Sequence, residues 1–273
     1  MRMSGCGSGQ DASPGAISCA LLDVGGTLWP EKAPLASDDA RLGRLRRVLP
    51  ALSHAAIRGL LARIDAEMAE LDRSLTQDTD GTIRRAGREC VPPVEDAAVA
   101  AIRRALCLPA RGRFILFDGA RDLLATTKEL QLSCVIVSNA VVRDEGAYRR
   151  DFADLGVSQW IDGIVSSVDV GYRKPHRRIF EAALARARAS PAACVVIGNS
   201  ERNDVEPALA LGMRAIRVAI EEPPPASSAA HAVACSLGEG AAVLRAWAAG
   251  GRSSVVVESE RGGGKARSFE GFC

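Results

Sequence analysis

Asp23 is the first residue in the chain whose type and position favour a functional role. It follows an apolar run at residues 19–22 and precedes the turn Val-Gly-Gly-Thr at residues 24–27. Open α/β sheets build their binding sites at the carboxyl ends of their strands. If the apolar run is a buried strand, it delivers the carboxylate of Asp23 to such an edge.

Three later segments place other polar side chains after apolar runs or in turns. In chain order they supply Ser138 and Asn139 after residues 135–137, Lys174 within residues 171–175, and Asn199 and Asp204 within residues 195–204. If these runs are strands of one parallel sheet, the side chains that follow them meet at its carboxyl edge.

The four segments, in this order, resemble motifs I to IV of the haloacid dehalogenase superfamily. Intervals of about 115, 36 and 25 residues separate Asp23, Ser138, Lys174 and Asn199, and they suit that family. The resemblance implies a Rossmann-like parallel sheet with helices on both faces and an inserted helical cap between motifs I and II. It also implies a hydrolase that acts on a small phosphorylated metabolite through an aspartyl-phosphate. From the motif positions we predict that Asp23, Ser138, Lys174 and Asp204 converge at the carboxyl ends of parallel strands, with Asn199 beside them.

The resemblance assigns a role to each matching residue. Phosphoryl transfer needs a nucleophile, neutralisation of the phosphate's charge and an in-line geometry. Asp23 would be the nucleophile, Ser138 would bind phosphoryl oxygens, and Lys174 would hold Asp23 and the phosphate together. Substrate binding would fall to the loop positions Gly26, Thr27 and Asn139.

A magnesium site is also implied by the resemblance. Its ligands would be Asp23, the main-chain carbonyl of Gly25, Asp204 and Asn199. Magnesium usually takes one or two carboxylates together with substrate phosphate. Asp23 and Asp204 meet that minimum, so we expect metal binding that is weakened rather than abolished.

Two positions depart from the family pattern. Gly25 stands where motif I usually carries a second aspartate, the general acid and base, and Asn199 stands where motif IV begins with aspartate. General acid–base catalysis contributes roughly 10²–10⁴-fold to a rate. Glu31 and Glu201 are the nearest spare carboxylates in the sequence, and either could substitute for the missing acid.

The missing aspartate leaves several functions open. The protein could be a slow or specialised phosphatase, or a catalytically degenerate member that binds a phosphorylated ligand or a protein partner. Phosphonoacetaldehyde hydrolase, a relative that lacks the same aspartate, uses a cap lysine, but here the only lysine near the cap is Lys32. Haloacid dehalogenases also lack it, yet residues 198–204 look more like a metal-binding motif IV. Turnover that depends on Asp23 and magnesium separates the phosphatase from the binding protein.

The segments around these motifs predict the domain organisation. Strand and helix patterns alternate from about residue 112 onward, which is typical of a parallel sheet covered on both faces. Residues 36–108 show helical periodicity and no convincing strand. We therefore predict a disordered leader at residues 1–15, a core at residues 16–29 and 112–250, a helical cap at residues 30–111 and a flexible tail at residues 251–273.

The composition is that of an ordinary globular protein. The chain has 273 residues, is 47% hydrophobic and carries a net charge of +2, so no strong field favours nucleic acid. Its eight cysteines form no Cys-x-x-Cys pair, and reduced thiols fit a cytoplasmic protein. No apolar run approaches the roughly 18 residues of a membrane span. The sequence does not define an oligomeric state.

Overall fold

Six short strands pair into one parallel sheet in the computed structural model, which describes residues 16–31, 38–107 and 114–250. The predicted leader and tail lie outside the described residues. The strands are β1 (Cys19–Leu22), β2 (Ser133–Ser138), β3 (Gly163–Ser166), β4 (Cys194–Gly198), β5 (Arg214–Val218) and β6 (Ala232–Ala234). Their spatial order is β3-β2-β1-β4-β5-β6. This order confirms the predicted α/β class with a Rossmann-like parallel sheet.

Helices cover both faces of this sheet. The α-helices of the described residues are α1 (Asp38–Val48), α2 (His54–Ala69), α3 (Thr79–Arg88), α4 (Val99–Cys107), α5 (Ala120–Glu129), α6 (Glu145–Asp154), α7 (Ser167–Val170), α8 (Arg177–Ala187), α9 (Glu206–Ala210) and α10 (Leu237–Ala248). None of them combines the length and the apolar character that a bilayer crossing needs.

The strands read as nearly continuous apolar runs because they are buried on both sides. Successive side chains of a strand point to opposite faces. Leu22 and Ile136 therefore pack with α5, α6 and α10, whereas Leu21 and Val135 pack with α8 and α9. β1 lies between β2 and β4, so the residue that follows β1 emerges near the middle of the sheet.

Helices α1 to α4 form a separate apolar cluster. Their buried residues recur at helical spacing, as Ile57, Leu60, Leu61 and Ile64 show in α2. Within residues 38–107 the only β-type contact is an isolated antiparallel bridge between Thr76 and Tyr172. A cap that spans residues 30–111 stays a prediction, but the described residues match its helical character.

Three details differ from the sequence-based expectation. β6 was not predicted, because a three-residue alanine-rich segment gives no periodic signal. The pattern of residues 175–189 predicts a helix with its proline near the start, but α8 begins at Arg177, and His176 caps it by accepting a hydrogen bond from the Arg178 amide. The pattern of residues 204–211 also predicts a helix, but a π-turn, Glu201–Val205, comes before α9.

Candidate active site

Asp23 lies directly after β1, and both of its carboxylate oxygens are held. Its amide donates to the Ile197 carbonyl at 2.9 Å, which extends the pairing of β1 with β4. Thr27 Oγ1 donates to Asp23 Oδ2 at 2.8 Å, and Lys174 Nζ donates to Oδ1 at 2.5 Å. Asp23 is 7% exposed. A buried carboxylate in this arrangement is fixed in orientation and balanced in charge.

Lys174 bridges Asp23 to a second carboxylate. Its Nζ lies 2.6 Å from Asp204 Oδ1, and both side chains are almost fully buried. Burial alone would lower the pKa of Lys174, but the charges of Asp204 and Asp23 outweigh it and raise that pKa above its ordinary value. Burial raises the pKa of Asp204 to about 6 against the opposing effect of the Lys174 ammonium. Lys174 is therefore a fixed positive charge between two carboxylates.

The turn after Asp23 is closed by its own backbone. The Gly26 amide donates to the Trp29 carbonyl at 2.7 Å, and Gly25 forms a bridge with Trp29. Gly26 has a φ of +70°, and a Cβ there would lie 2.2 Å from Asn199 Nδ2. Glycine is therefore favoured at position 26 by its conformation, and a side chain there would also displace the Asn199 side chain.

Ser138 ends β2 with its hydroxyl against a buried tyrosine. Ser138 Oγ and the Tyr148 hydroxyl lie 2.7 Å apart. Burial raises the pKa of Tyr148 to about 12. The ring of Trp29 stacks near Tyr148 at a centroid distance of 6.2 Å, so the residues behind Asp23 and behind Ser138 belong to one packed group.

Asn139 uses its side chain to hold the backbone of Lys174. Its Oδ1 accepts from the Lys174 amide at 2.7 Å, and its Nδ2 donates to the Lys174 carbonyl at 2.9 Å. This pair of bonds ties the loop after β2 to the loop that carries the lysine.

Asp23 and Asp204 are the carboxylates of the predicted metal site. No three side chains of His, Cys, Asp or Glu are grouped as a metal site in the part of the chain that the structure describes. Asp23 and Asp204 nevertheless lie within reach of one ammonium group. Asp204 Oδ2 accepts from the Ser200 amide at 3.0 Å. Asp23 and Asp204 line one cavity with Gly25, and carboxylates are hard oxygen donors of the kind magnesium takes, so the residues fit the ion.

Glu31 places its carboxylate beside the glycine turn. Its Oε2 would lie 3.5 Å from a Cβ built on Gly25, and it accepts from Asn199 Nδ2 at 3.4 Å. The Glu31 amide donates to Glu221 Oε2 at 3.0 Å. Burial of this carboxylate raises the pKa of Glu31, and the negative charge of Asp23 adds to the rise.

Glu201, the other spare carboxylate, is occupied elsewhere. It accepts from Arg217 Nη1 at 2.9 Å, from Ser228 Oγ at 2.7 Å and from the Ala229 amide at 2.7 Å. Burial would raise its pKa, but these donors outweigh burial and lower it. The two candidate substitutes thus differ in their partners: Glu31 faces Gly25, and Glu201 braces the loop before β6.

These groups line a cavity of about 510 Å³. It brings together the predicted residues Asp23, Gly25, Gly26, Ser138, Asn139, Lys174, Asn199 and Asp204. Thr27 lies behind the wall, bonded to Asp23, and His176 is outside the lining. No residue of the described segment 38–107 contributes to the wall, which is completed by residues 200–203 and 217–223.

Sequence reasoning missed two parts of this site. Tyr148 lies on α6, where a tyrosine at helical spacing indicates core packing rather than a contact to Ser138. The segment 217–223 follows β5 at the carboxyl edge, and that position in a parallel sheet is the signal that could have identified it.

Comparisons with known proteins identify the relatives of this chain. The family model of the haloacid dehalogenase-like hydrolases matches residues 17–212. A glyceraldehyde 3-phosphate phosphatase of Methanothermobacter thermautotrophicus is 42% identical over 64 residues, which are 23% of this chain and 28% of that protein. The enzyme of the same name from Methanopyrus kandleri is 24% identical over 209 residues, 74% of this chain and 84% of that protein.

A solved structure reproduces the fold over most of the chain. The 2-haloacid dehalogenase of Pseudomonas syringae pv. tomato superposes with a TM-score of 0.61 at 19% identity, covering 85% of this chain and 99% of that chain. At this identity the likeness concerns the fold alone. The alignment with the Methanothermobacter phosphatase spans just over a quarter of that relative's length.

Proposed function

This chain belongs to the haloacid dehalogenase-like hydrolase family, and from that premise we propose that this enzyme hydrolyses a small phosphorylated metabolite through an aspartyl-phosphate. The observation that carries the proposal is the buried carboxylate of Asp23, held by Lys174 and Thr27 at the wall of a polar cavity. Two relatives named as phosphatases support the substrate class. The cavity has room for a small metabolite.

The reaction takes two displacements at phosphorus. In the first, an oxygen of Asp23 attacks phosphorus, the bond to the ester oxygen breaks, and the departing oxygen takes the electron pair and a proton. In the second, a water oxygen attacks phosphorus and loses a proton. The Asp23 oxygen then leaves with its electron pair, which releases phosphate and restores the carboxylate.

Lys174 supplies positive charge at the site, and hydrolases of this family generally use magnesium as well. Asp23, Asp204 and the Gly25 carbonyl, with Asn199 beside them, would hold magnesium, and when bound it supplies positive charge to the phosphoryl oxygens. Lys174 balances the charge of the Asp23 carboxylate and orients it for attack, while Ser138 offers its hydroxyl to a phosphoryl oxygen.

We assign the proton transfers to Glu31. Its carboxylate occupies the space that faces Gly25, the position where the family usually carries its acid and base. From there it would give a proton to the leaving oxygen in the first displacement and take one from water in the second. Glu201 is not assigned this role, because Arg217, Ser228 and Ala229 already hold its carboxylate.

The test is a phosphatase screen over sugar phosphates, nucleotides and acyl phosphates, with and without magnesium. We expect magnesium-dependent turnover of at least one small phosphomonoester by the native chain and none above background by Asp23→Asn. Asp118→Asn, which alters an exposed carboxylate outside the cavity wall, is the matched control. Rapid acid quenching with labelled substrate should leave label on the native protein that hydroxylamine releases, because hydroxylamine cleaves an acyl phosphate and not a phosphoester.

Two results would contradict the proposal. Absence of turnover combined with measurable affinity for phosphate would favour the binding protein. Magnesium-independent release of halide from a 2-haloacid would favour a dehalogenase.

A further inference from the structure

A short segment between α2 and α3 pairs with the loop that carries Lys174. The Gln77 amide donates to the Gly171 carbonyl at 2.9 Å, and the Arg173 amide donates to the Leu75 carbonyl at 3.0 Å. Thr76 and Tyr172 form the antiparallel bridge between these bonds. The helical segment 38–107 is thereby attached to the core one residue before Lys174.

The side chain of Gln77 enters the core at this junction. Its Oε1 accepts from Ser167 Oγ at 2.8 Å and from Arg173 Nη1 at 2.9 Å. Its Nε2 donates to the carbonyls of Ala140 and Val141, each at 2.9 Å. Gln77 is only 6% exposed. These partners define the orientation of the amide, because carbonyls need its N–H groups and the guanidinium needs its oxygen.

The segments that Gln77 joins are those that carry the phosphoryl-binding groups. Ala140 and Val141 follow directly after Ser138 and Asn139, and Arg173 directly precedes Lys174. Asn139 in turn holds both backbone polar groups of Lys174. One amide from outside the cavity wall therefore braces the loop after β2 against the lysine loop.

Removal of this amide would weaken the junction between the two loops. Arg173, which is 3% exposed, would keep its bond to the Ala140 carbonyl at 3.0 Å, and that carbonyl also accepts from Ser167 Oγ at 3.1 Å. The Val141 carbonyl would keep Thr79 Oγ1 as a donor at 3.3 Å. The loss therefore falls on the buried hydrogen bonds that Gln77 itself makes to both loops, and without them the loops can shift relative to each other.

We propose that Gln77 is a positioning residue for the phosphoryl site. Through it the helical segment 38–107, which contributes nothing to the cavity wall, sets the relative placement of the Ser138 hydroxyl and the Lys174 ammonium. The expected effect of Gln77 on turnover rests on the proposed function. The expected effect of Gln77 on phosphate affinity does not require turnover.

The experiment compares native protein with Gln77→Ala and uses Gln159→Ala as the matched control. Gln159 is an exposed glutamine of the core whose amide donates only to the Gly156 carbonyl among the contacts described. Inorganic phosphate affinity, kcat and KM are measured well below the melting temperature of each variant. We expect Gln77→Ala to weaken phosphate affinity about tenfold, since one buried hydrogen-bonding group is at stake. Hydrogen exchange should rise at residues 139–141 and 171–174.

Thr79→Ala keeps the inference testable if Gln77→Ala does not fold. Thr79 Oγ1 accepts from Gln77 Nε2 at 2.9 Å, so its loss loosens the same junction from the helical side, and a smaller change in the same direction is expected. A folded variant with faster exchange at the two loops but native phosphate affinity would overturn the inference. In that case, turnover by the native protein that depends on Asp23 would still support the proposed function. If instead no substrate in the screen is turned over, the proposed function fails, but the phosphate-affinity measurement still tests the role of Gln77.

Discussion

The Glu31 carboxylate lies against Gly25, with Oε2 3.5 Å from the position of a Cβ on that glycine. This separation is ordinary van der Waals contact, so the space beside the glycine is already shared with a carboxylate. Gly25 has no positive φ, unlike Gly26. The backbone at position 25 therefore tolerates a side chain, and the carboxylate of Glu31 is what such a side chain would meet.

Glu31→Gln should lower kcat by about 10²-fold on alkyl phosphates, because it keeps the shape of the side chain and removes its proton transfer. The loss should shrink on acyl or aryl phosphates, whose leaving groups need less protonation. Measurement of kcat across leaving groups checks this prediction.

Glu201→Gln is the comparison variant for the measurements of kcat across leaving groups. It neutralises a second carboxylate of the cavity wall but loosens the contacts to Arg217 and Ser228. We expect a lower melting temperature without dependence on the leaving group. Equal leaving-group dependence in both variants would contradict the assignment to Glu31.

Gly25→Asp alone should raise phosphatase activity little, although it restores the usual residue of motif I. The new carboxylate would meet that of Glu31, and two like charges in contact oppose each other. In a Glu31→Ala background the same substitution should recover most of the activity that Glu31→Ala loses. A double-mutant cycle on kcat/KM measures this coupling. Equal effects of Gly25→Asp in both backgrounds would show that the two carboxylates act independently.

The convergence of the main groups could be predicted from the sequence because it follows from topology. Asp23, Ser138 and Gly198 end or directly follow neighbouring parallel strands, so side chains close to them must meet at one edge. Apolar β-branched runs identified most of those strands. Strand β6 was not predicted, because it has only three residues and pairs only with β5 at the edge of the sheet.

The choice between Glu31 and Glu201 could not be made from the sequence. Both are carboxylates near a motif, and their positions in the sequence do not distinguish them. Their partners are distant in the chain: Glu201 meets Ser228, and Glu31 meets Asn199 and Glu221. Contacts between residues far apart in the chain leave no periodic pattern in the sequence. The contact between Gln77 and Arg173 could not be predicted for the same reason.

Tyr148→Phe should raise KM about fivefold and leave kcat nearly unchanged. The change removes one hydroxyl 2.7 Å from Ser138 Oγ, and a single hydrogen bond of this kind contributes about 1 kcal/mol. Steady-state kinetics on the best substrate check the split, and Tyr172→Phe, at a partly exposed tyrosine, is the control. In a Ser138→Ala background the effect of Tyr148→Phe should vanish. Persistence of the full effect there would show that Tyr148 acts by packing alone.

We expect the buried carboxyl group of Asp151 to lower the free energy of unfolding as pH rises. The side chain is buried; Oδ2 accepts from Arg143 Nε at 2.9 Å, and Oδ1 has no hydrogen-bond partner. Burial raises its pKa above the ordinary 3.8, against the effect of Arg143. The folded state therefore holds this proton to higher pH than the unfolded state, so stability is lost as pH rises from about 3.8 through the raised pKa.

The free energy of unfolding of native protein minus that of Asp151→Asn, from urea titrations across this pH window, should decrease and then level off. Asp118→Asn, which removes an exposed carboxylate that does not act on Asp151, is the control for the loss of one charge. A difference that instead increases with pH would mean that the ion pair with Arg143 outweighs burial.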